Sequence, residues 1–408
     1  MERGLFSQVS ACEGNENWEQ YISRVTPIYK KANDIRSEFA RDYTRILHST
    51  AYRRLKHKTQ VFFATRHDHI CTRIEHVNHV ASVSYTIASY LGLNTELTNA
   101  IALGHDLGHA PFGHTGEEFL KEIVQKELGK TFWHEQNSLR FVDKCETLPD
   151  KEGIERNLNL TYAVRDGIVC HCGEVDENSI FPRKDYIDLY SIEKANQCAP
   201  YTWEGCVVKI ADKISYLGRD IEDALLLKVL TVSEVKELIK IGRDFGDAKA
   251  NEITNTLLMH DFIVDLCHTS SPEKGIAFSP KYLELMNDLK KFNYKYIYRH
   301  ERLNNYKSYA RLIIQSIYQT LLNGYNGKRT LAKLKRYQAI YPILVASFID
   351  WLQKYATIEH RNLKVNKYQN EVLYHLENKE DYIQAIVDYI SGMSDSFAIK
   401  IFNEITTF

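Results

Sequence analysis

Proline and glycine are scarce: 8 and 19 among 408 residues. So few chain breakers, alongside many long side chains and 26 tyrosines, favour a mostly helical protein. The 8 cysteines are too few and too irregularly placed for a disulfide framework; Cys170 and Cys172 are two apart, and no second pair completes a zinc pattern. The opening M-E-R-G-L-F-S-Q has no apolar stretch of signal-peptide length. The longest apolar run, Tyr341 to Leu352, is interrupted by Asp350 and too short to cross a bilayer. Charge is balanced, with Lys+Arg 52 against Asp+Glu 53, so nothing global points to nucleic acid or an anionic membrane. The expectation is a soluble, cytoplasmic protein in a reducing compartment, with enough apolar residues for a substantial core.

The densest chemistry lies between Ile101 and Glu118, I-A-L-G-H-D-L-G-H-A-P-F-G-H-T-G-E-E. His105, Asp106, His109 and His114 fall within ten residues, punctuated by Gly104, Gly108, Gly113, Gly116 and Pro111. A helix entering from Leu97 would turn Ala100, Ile101 and Leu103 towards a core and deliver His105–Asp106 at its end, where glycine and proline force a tight connection. Thr115 followed by Glu118 reads as a capping box for a second helix, whose apolar residues are Phe119, Leu120, Ile123, Val124 and Leu128. That pattern leaves His114 and Glu117 without a structural reason. An adjacent His-Asp pair brings imidazole nitrogen and carboxylate oxygen within reach of one ion, a donor set for a borderline divalent metal. Alone the dipeptide is weak evidence, so further ligands decide the matter.

Elsewhere the chain supplies them. Residues 1–35 read as an irregular or loosely helical lead-in. Ile35 to Phe63 is basic (Arg36, Arg41, Arg45, Arg53, Arg54, Lys56, Lys58), most simply a solvated helix face, and 58–63 turns towards an extended segment. A helix from Arg73 to about Leu91 has Val80, Val83, Ile87 and Leu91 as its buried stripe, with His76 on that stripe one turn earlier. A further helix begins near His134, another is expected over 157–169, and 173–203 reads as a polar surface excursion. From Val207 to about Val229 one helix carries two faces. Ile214, Leu217, Ile221 and Ala224 line the first; Asp212, Tyr216, Asp220 and Asp223 recur at four, four and three along the second, as a polar cavity wall would require. Beyond 230 the sequence stays helical, with a Tyr/Lys-rich helix expected over Leu289 to Arg302. A basic patch (Lys328, Arg329, Lys333, Lys335, Arg336) is most simply solvated.

Together His76, His105–Asp106 and Asp212 spell H…HD…D, each beside an apolar stripe, and the sequence resembles the HD-domain metal-dependent phosphohydrolases. The match narrows on R-I-L-H-S-T-A-Y-R-R-L-K-H-K-T-Q-V-F (45–62), R-I-E-H (73–76), G-H-D-L-G-H-A-P-F-G-H-T-G-E (104–117), L-N-L-T-Y (158–162), A-D-K-I-S-Y-L-G-R-D-I-E-D (211–223) and D-Y-I-S-G-M-S-D-S-F-A (388–398). These look like the deoxynucleoside triphosphate triphosphohydrolases, the dGTPase and dNTPase family, over nearly the whole chain. The implied fold is all-α, an HD-domain helical fold with a helical C-terminal extension. Residues 1–230 would form the catalytic core with its lead-in, and 231–408 a helical region packed on it.

By motif, the resemblance implies that His76, His105, Asp106 and Asp212 hold one divalent ion (Mn, Mg, Fe, Co, Ni or Zn). His114 would be the catalytic histidine and Glu117 its acidic partner. Arg73, His109 and Lys213 would bind phosphate oxygens, with His134 also at the substrate. Tyr216 and Asp220 would read the sugar, the ring rejecting a 2′-hydroxyl, and Gln60 would lie near sugar and base. The implied reaction is dNTP + H2O to 2′-deoxynucleoside and triphosphate. Two departures bear on the base: Glu135 follows the vertebrate branch, and Cys170–His171 replaces a lysine-tyrosine pair of many dGTPases. Lys290, Lys291 and Arg299 are candidate substitutes for that lysine. The implied range is therefore broad or dGTP-preferring, the departures favouring the broad one. A homo-oligomer (tetramer or hexamer) is implied by the resemblance alone. Regulation by a second nucleotide or by single-stranded DNA is also implied, with no residue locating either. The alternatives are another HD phosphohydrolase (phosphodiesterase, nuclease or 5′-nucleotidase) and a catalytically silent nucleotide sensor.

Overall fold

The scarcity of breakers is realised as helices. The computed structural model describes residues 4–27, 34–63, 68–172, 178–245, 255–357 and 367–407. Apart from isolated bridges, the only sheet among them is one antiparallel pair, Thr147–Pro149 against Glu155–Asn157, with Thr147 opposite Asn157. No helix of the described residues is long and apolar enough to cross a membrane. The fold is all-α. Two compact units interleave along the chain, one from Met1–Thr44, Thr65–His105 and Leu160–Asn305, the other from Arg45–Ala64, Asp106–Asn159 and Tyr306–Phe408. Both draw on residues before and after 230.

In the first unit the helices Arg73–Leu91, Thr95–Gly104 and Trp203–Leu226 pack on one another. The first starts where the Glu75 carboxylate accepts the Thr72 backbone N–H (2.7 Å) and stops at Gly92, which takes the left-handed conformation (φ 83°) that glycine adopts without strain. Val80, Val83, Ile87, Leu91 and His76 are all buried, as the periodicity predicts. Each such aliphatic side chain contributes about 1.5–3 kcal/mol on burial. The second helix is capped by Asn94, whose side chain accepts from Glu96 N–H and Leu97 N–H (both 3.1 Å). The third begins four residues before the expected Val207, because Thr202 Oγ1 accepts the Gly205 N–H (3.1 Å) and sets the start at Trp203. Its next residue, buried Glu204, accepts from Ala11 N–H and Asn94 N–H (2.9 Å each), tying down the lead-in.

Two expected helices are corrected. The helix over 157–169 is confined to Tyr162–Val169, because Asn157 belongs to the strand pair and Asn159 is left-handed (φ 48°). Leu289 to Arg302 is not one helix: Pro280–Phe292 widens into a π-turn at Asn293–Tyr298 and ends, and a new helix starts at Glu301. The Asn293 side chain donates to the Leu217 carbonyl (3.0 Å), anchoring that turn on the Trp203–Leu226 helix. In the expected surface excursion over 173–203, residues 173–177 lie outside the described residues; the rest is irregular apart from a 3-10 turn at Leu189–Ser191, with Ile180, Leu189, Ile192 and Tyr201 buried as anchors.

The second unit packs the Gly113–Leu128 helix on the Lys379–Ser391 helix, and one apolar cluster gathers Phe119, Leu120 and Val124 with Ile313, Ile314, Ile317 and the buried residues of Pro342–Tyr355. The apolar run after Tyr341 is therefore core, with Leu344, Val345, Phe348 and Leu352 fully covered. The solvated reading of the basic stretch fails at Lys58, which is 1% exposed. Its ammonium donates to the Ser391 carbonyl (3.0 Å) and to the His109 carbonyl, so the charge is satisfied inside the protein.

Candidate active site

In the first unit, three elements converge. His76 comes from the first full turn of Arg73–Leu91, His105 follows the last residue of Thr95–Gly104, and Asp212 lies midway along Trp203–Leu226. His76 Nε2 is 3.0 Å and His105 Nε2 3.9 Å from Asp212 Oδ1, and the three ligand atoms lie within 4.8 Å of one another. His105 Nδ1 is 2.7 Å from the Ala102 carbonyl. A carbonyl only accepts, so the proton sits on Nδ1 and the Nε2 lone pair is directed at the cluster. Two buried imidazole nitrogens and a half-buried carboxylate fit a divalent ion; these residues can hold a metal.

Around this triad, Arg73 (1% exposed) opens the His76 helix and Lys213 (2%) follows Asp212. Tyr216 and Asp220 continue the Asp212 face one and two turns on. Asp220 accepts a 2.5 Å hydrogen bond from the Tyr298 hydroxyl, presented by the π-turn. Burial and the Asp220 charge hold the Tyr298 phenol well above its ordinary pKa, so it remains a donor. Asp223, the last of the expected polar stripe, is used differently: it accepts the Cys71 N–H (3.0 Å) just before the Arg73–Leu91 helix, and burial pushes its carboxyl up to about 6. His171, read from the sequence only as part of the Cys170–His171 departure, hydrogen-bonds the Ile168 carbonyl through Nδ1 (2.6 Å) and packs edge-on against His105, ring centres 4.9 Å apart.

The second unit holds His109, His114 and His134. His109 Nε2 lies 3.2 Å from Asp106 Oδ1, and the His109 ring stacks on His134 at 3.9 Å. Glu117 takes His114 Nδ1 at 3.3 Å, His134 Nδ1 at 3.1 Å and the His134 backbone N–H at 2.8 Å. Burial would raise the Glu117 pKa, but the His134 charge and the hydrogen bonds from both histidines hold it well below the carboxylate range. Burial would likewise lower His134, but Glu135 and Glu117 push it up to about 10. An ionised pair thus backs His114, whose own side chain is 64% exposed.

Two glycines are needed for this geometry. A Cβ on Gly108 would lie 2.1 Å from the Ser138 nitrogen, and one on Gly116 would lie 1.9 Å from the Pro111 oxygen; both obstacles are backbone. The expected Thr115–Glu118 capping box is absent, because the helix already begins at Gly113 and Thr115 lies within its first turn. Asp395 supplies the anchor instead: Oδ1 accepts the N–H of left-handed Phe112 (2.9 Å, φ 66°), while Oδ2 accepts Thr59 N–H (3.1 Å) and Thr59 Oγ1–H (2.6 Å), next to Gln60. Tyr298, Asp395, His171 and Glu135 are the neighbours that motif spacing did not reveal. Asp395 had a signal as the last residue of D-Y-I-S-G-M-S-D, and Glu135 and His171 were visible as departures from the family pattern, with no contact attached to either.

Comparison with known proteins follows the same residues. The HD domain family matches residues 73–217, and a phosphohydrolase-associated domain matches 276–336. A deoxyguanosinetriphosphate triphosphohydrolase-like protein of Clostridium tetani is 33% identical over 380 residues, covering 93% of this chain and 88% of its own length. Proteins of the same description from Caldanaerobacter subterraneus (34% over 334 residues, 81% and 86% of the two chains) and Desulfatibacillum aliphaticivorans (37% over 294 residues, 71% and 75%) agree. The family resemblance seen in the motifs is thereby borne out: the chain belongs to the deoxyguanosinetriphosphate triphosphohydrolase-like family of HD-domain phosphohydrolases.

Proposed function

We propose that this protein is a metal-dependent dNTP triphosphohydrolase releasing 2′-deoxynucleoside and intact triphosphate, with a broad base range. The observation that carries the reading is the polar face of Trp203–Leu226, where the metal-type ligand Asp212 is followed at one-turn intervals by Tyr216 and by Asp220, itself held by Tyr298. A bare metal phosphohydrolase needs only Asp212; a sugar-reading enzyme needs the rest.

In this reading His76, His105 and Asp212 bind the ion, with Asp106, one peptide bond from His105, as the fourth ligand. A bound divalent ion neutralises phosphate charge and acidifies a water. Arg73, Lys213 and His109 hold phosphate oxygens in place. The Asp220 carboxylate accepts the 3′-hydroxyl, and the Tyr216 ring occupies the space a 2′-hydroxyl would need. His114, exposed and hydrogen-bonded to ionised Glu117, donates a proton to the departing 5′ oxygen. Glu117 and His134 orient it, and Gln60 contacts sugar and base. The enzyme works in the cytoplasm as a homo-oligomer; light scattering that gives a clean monomer of 47.4 kDa would remove that element.

The test is incubation with each dNTP and with GTP in Mn²⁺ or Mg²⁺, with products separated by anion exchange. Deoxynucleoside plus triphosphate, absent with GTP and lost in His114→Ala, supports the reading. Monophosphate plus pyrophosphate would replace it with a generic HD phosphohydrolase. Silence with single and mixed dNTPs would favour a sensor.

A further inference from the structure

Among the eight cysteines, Cys170 and Cys198 stand out as a pair. Cys170 caps the Tyr162–Val169 helix and is buried; Cys198 lies in the half-exposed stretch leading to Trp203. Their thiols neighbour each other beside one guanidinium. The contact is framed by Arg183. Its guanidinium donates to the Ala199 carbonyl (2.9 Å), lies 3.8 Å from Cys170 Sγ, and pairs with buried Asp166, while its backbone N–H donates to the Pro200 carbonyl (2.9 Å). The segment carrying Cys198 is thus held beside Cys170 through Ala199 and Pro200, the two residues that follow it.

We infer that Cys170 and Cys198 form a peroxide-sensitive dithiol site, which closes to a disulfide and loosens His105 through His171. The attacking sulfur is Cys198, the accessible one. The hydrogen bond from Cys170 and the Arg183 charge bring its thiol down to about 7, whereas burial pushes Cys71 and Cys267 up to about 12. The Cys198 thiolate takes one peroxide oxygen, breaking the O–O bond, and with one proton yields a sulfenic acid and water. Cys170 sulfur then attacks the Cys198 sulfur; hydroxide leaves and combines with the Cys170 proton as a second water. Two thiols are oxidised and one peroxide is reduced. The bridge pulls on the residue preceding His171, whose ring packs on His105 at 4.9 Å. The coupling half of this inference rests on the reading of His105 as a metal ligand; the dithiol half does not.

The experiment treats the reduced full-length protein with hydrogen peroxide, alkylates the remaining thiols, maps the peptides and measures Mn²⁺ affinity before and after. A Cys170–Cys198 cross-linked peptide, with two of the eight thiols lost, reversal by dithiothreitol and no cross-link in Cys198→Ser, is the expected result. Mn²⁺ affinity should fall as the His171 ring that packs on His105 shifts, and return on reduction. Oxidation that reaches exposed Cys12 while Cys198 remains a thiol, or that leaves Cys198 as an unbridged sulfinate, overturns the dithiol site. A bridge with unchanged Mn²⁺ affinity overturns the coupling. Reduced protein that binds no Mn²⁺ would sink the metal reading, while the peptide map still decides the bridge.

Discussion

His76, His105 and Asp212 in one unit and His114, Glu117 and His134 in the other are built from the same two groups, imidazole and carboxylate, in different surroundings. In the first, a buried backbone carbonyl fixes the His105 proton on Nδ1 and leaves Nε2 for a ligand. In the second, carboxylates surround the imidazoles: Glu117 is held ionised and His134 is pushed up to about 10, behind an exposed His114. On the proposed reading the first binds an ion and the second handles a proton, a difference that residue type alone does not make. What lies behind the second ring nitrogen does.

The largest expected effect breaks the first cluster. Asp212→Ala should remove bound metal and turnover together, costing more than the roughly 10- to 100-fold in affinity that an outer partner costs. Elemental analysis of protein purified with Mn²⁺ reads it; full metal content in that variant would take Asp212 out of the ligand set. His114→Ala should leave metal content intact and lower kcat by about 10²- to 10⁴-fold, the range for a general acid. If metal is lost as well, the two clusters are not separate in function. Asp395→Ala leaves Phe112 N–H and Thr59 N–H without their acceptor, a cost of about 1–3 kcal/mol per buried group in denaturant unfolding. An unchanged midpoint would mean that the left-handed entry to Gly113–Leu128 holds itself.

The smallest effect is a pH dependence. The depressed Glu117 contributes stability present above its unfolded value of 4.5 and lost as pH falls through its folded pKa. The raised His134 contributes stability fully present below 6.5 and lost as pH rises through about 10. Both contributions are complete only between about pH 4.5 and 6.5. His134→Gln should therefore flatten the decline in melting temperature between pH 6.5 and 10; a parallel decline in both proteins would show that the ion pair carries none of it.

Much of this was legible in the chain. His76 on an apolar stripe, the His105–Asp106 pair after a helix and the Asp212, Tyr216, Asp220 interval all follow from a period of 3.6 residues, and all three helices formed. Three of the misreadings share a cause. Thr115–Glu118 has the pattern of a capping box, but a carboxylate 283 residues away anchors the entry instead. Leu289 to Arg302 has uninterrupted helical composition, but Asn293 binds Leu217 O, 76 residues distant, and the helix opens into a π-turn there. Lys58 sits in a basic run and reads as solvated, yet it holds two carbonyls.

The sequence by itself determined which residues can do chemistry and which elements carry them, because metal ligation restricts residue type and helix periodicity is a local property. Only the tertiary structure decided the rest: that Asp220 is clamped by Tyr298, that Asp395 holds both Phe112 and Thr59, that Cys170 meets Cys198, and that two units interleave along one chain. These are contacts between residues far apart in the chain. Local propensity is set within about one helical turn and carries no trace of them; they are selected by the packing of whole helices, which makes the contact after the local pattern has already formed.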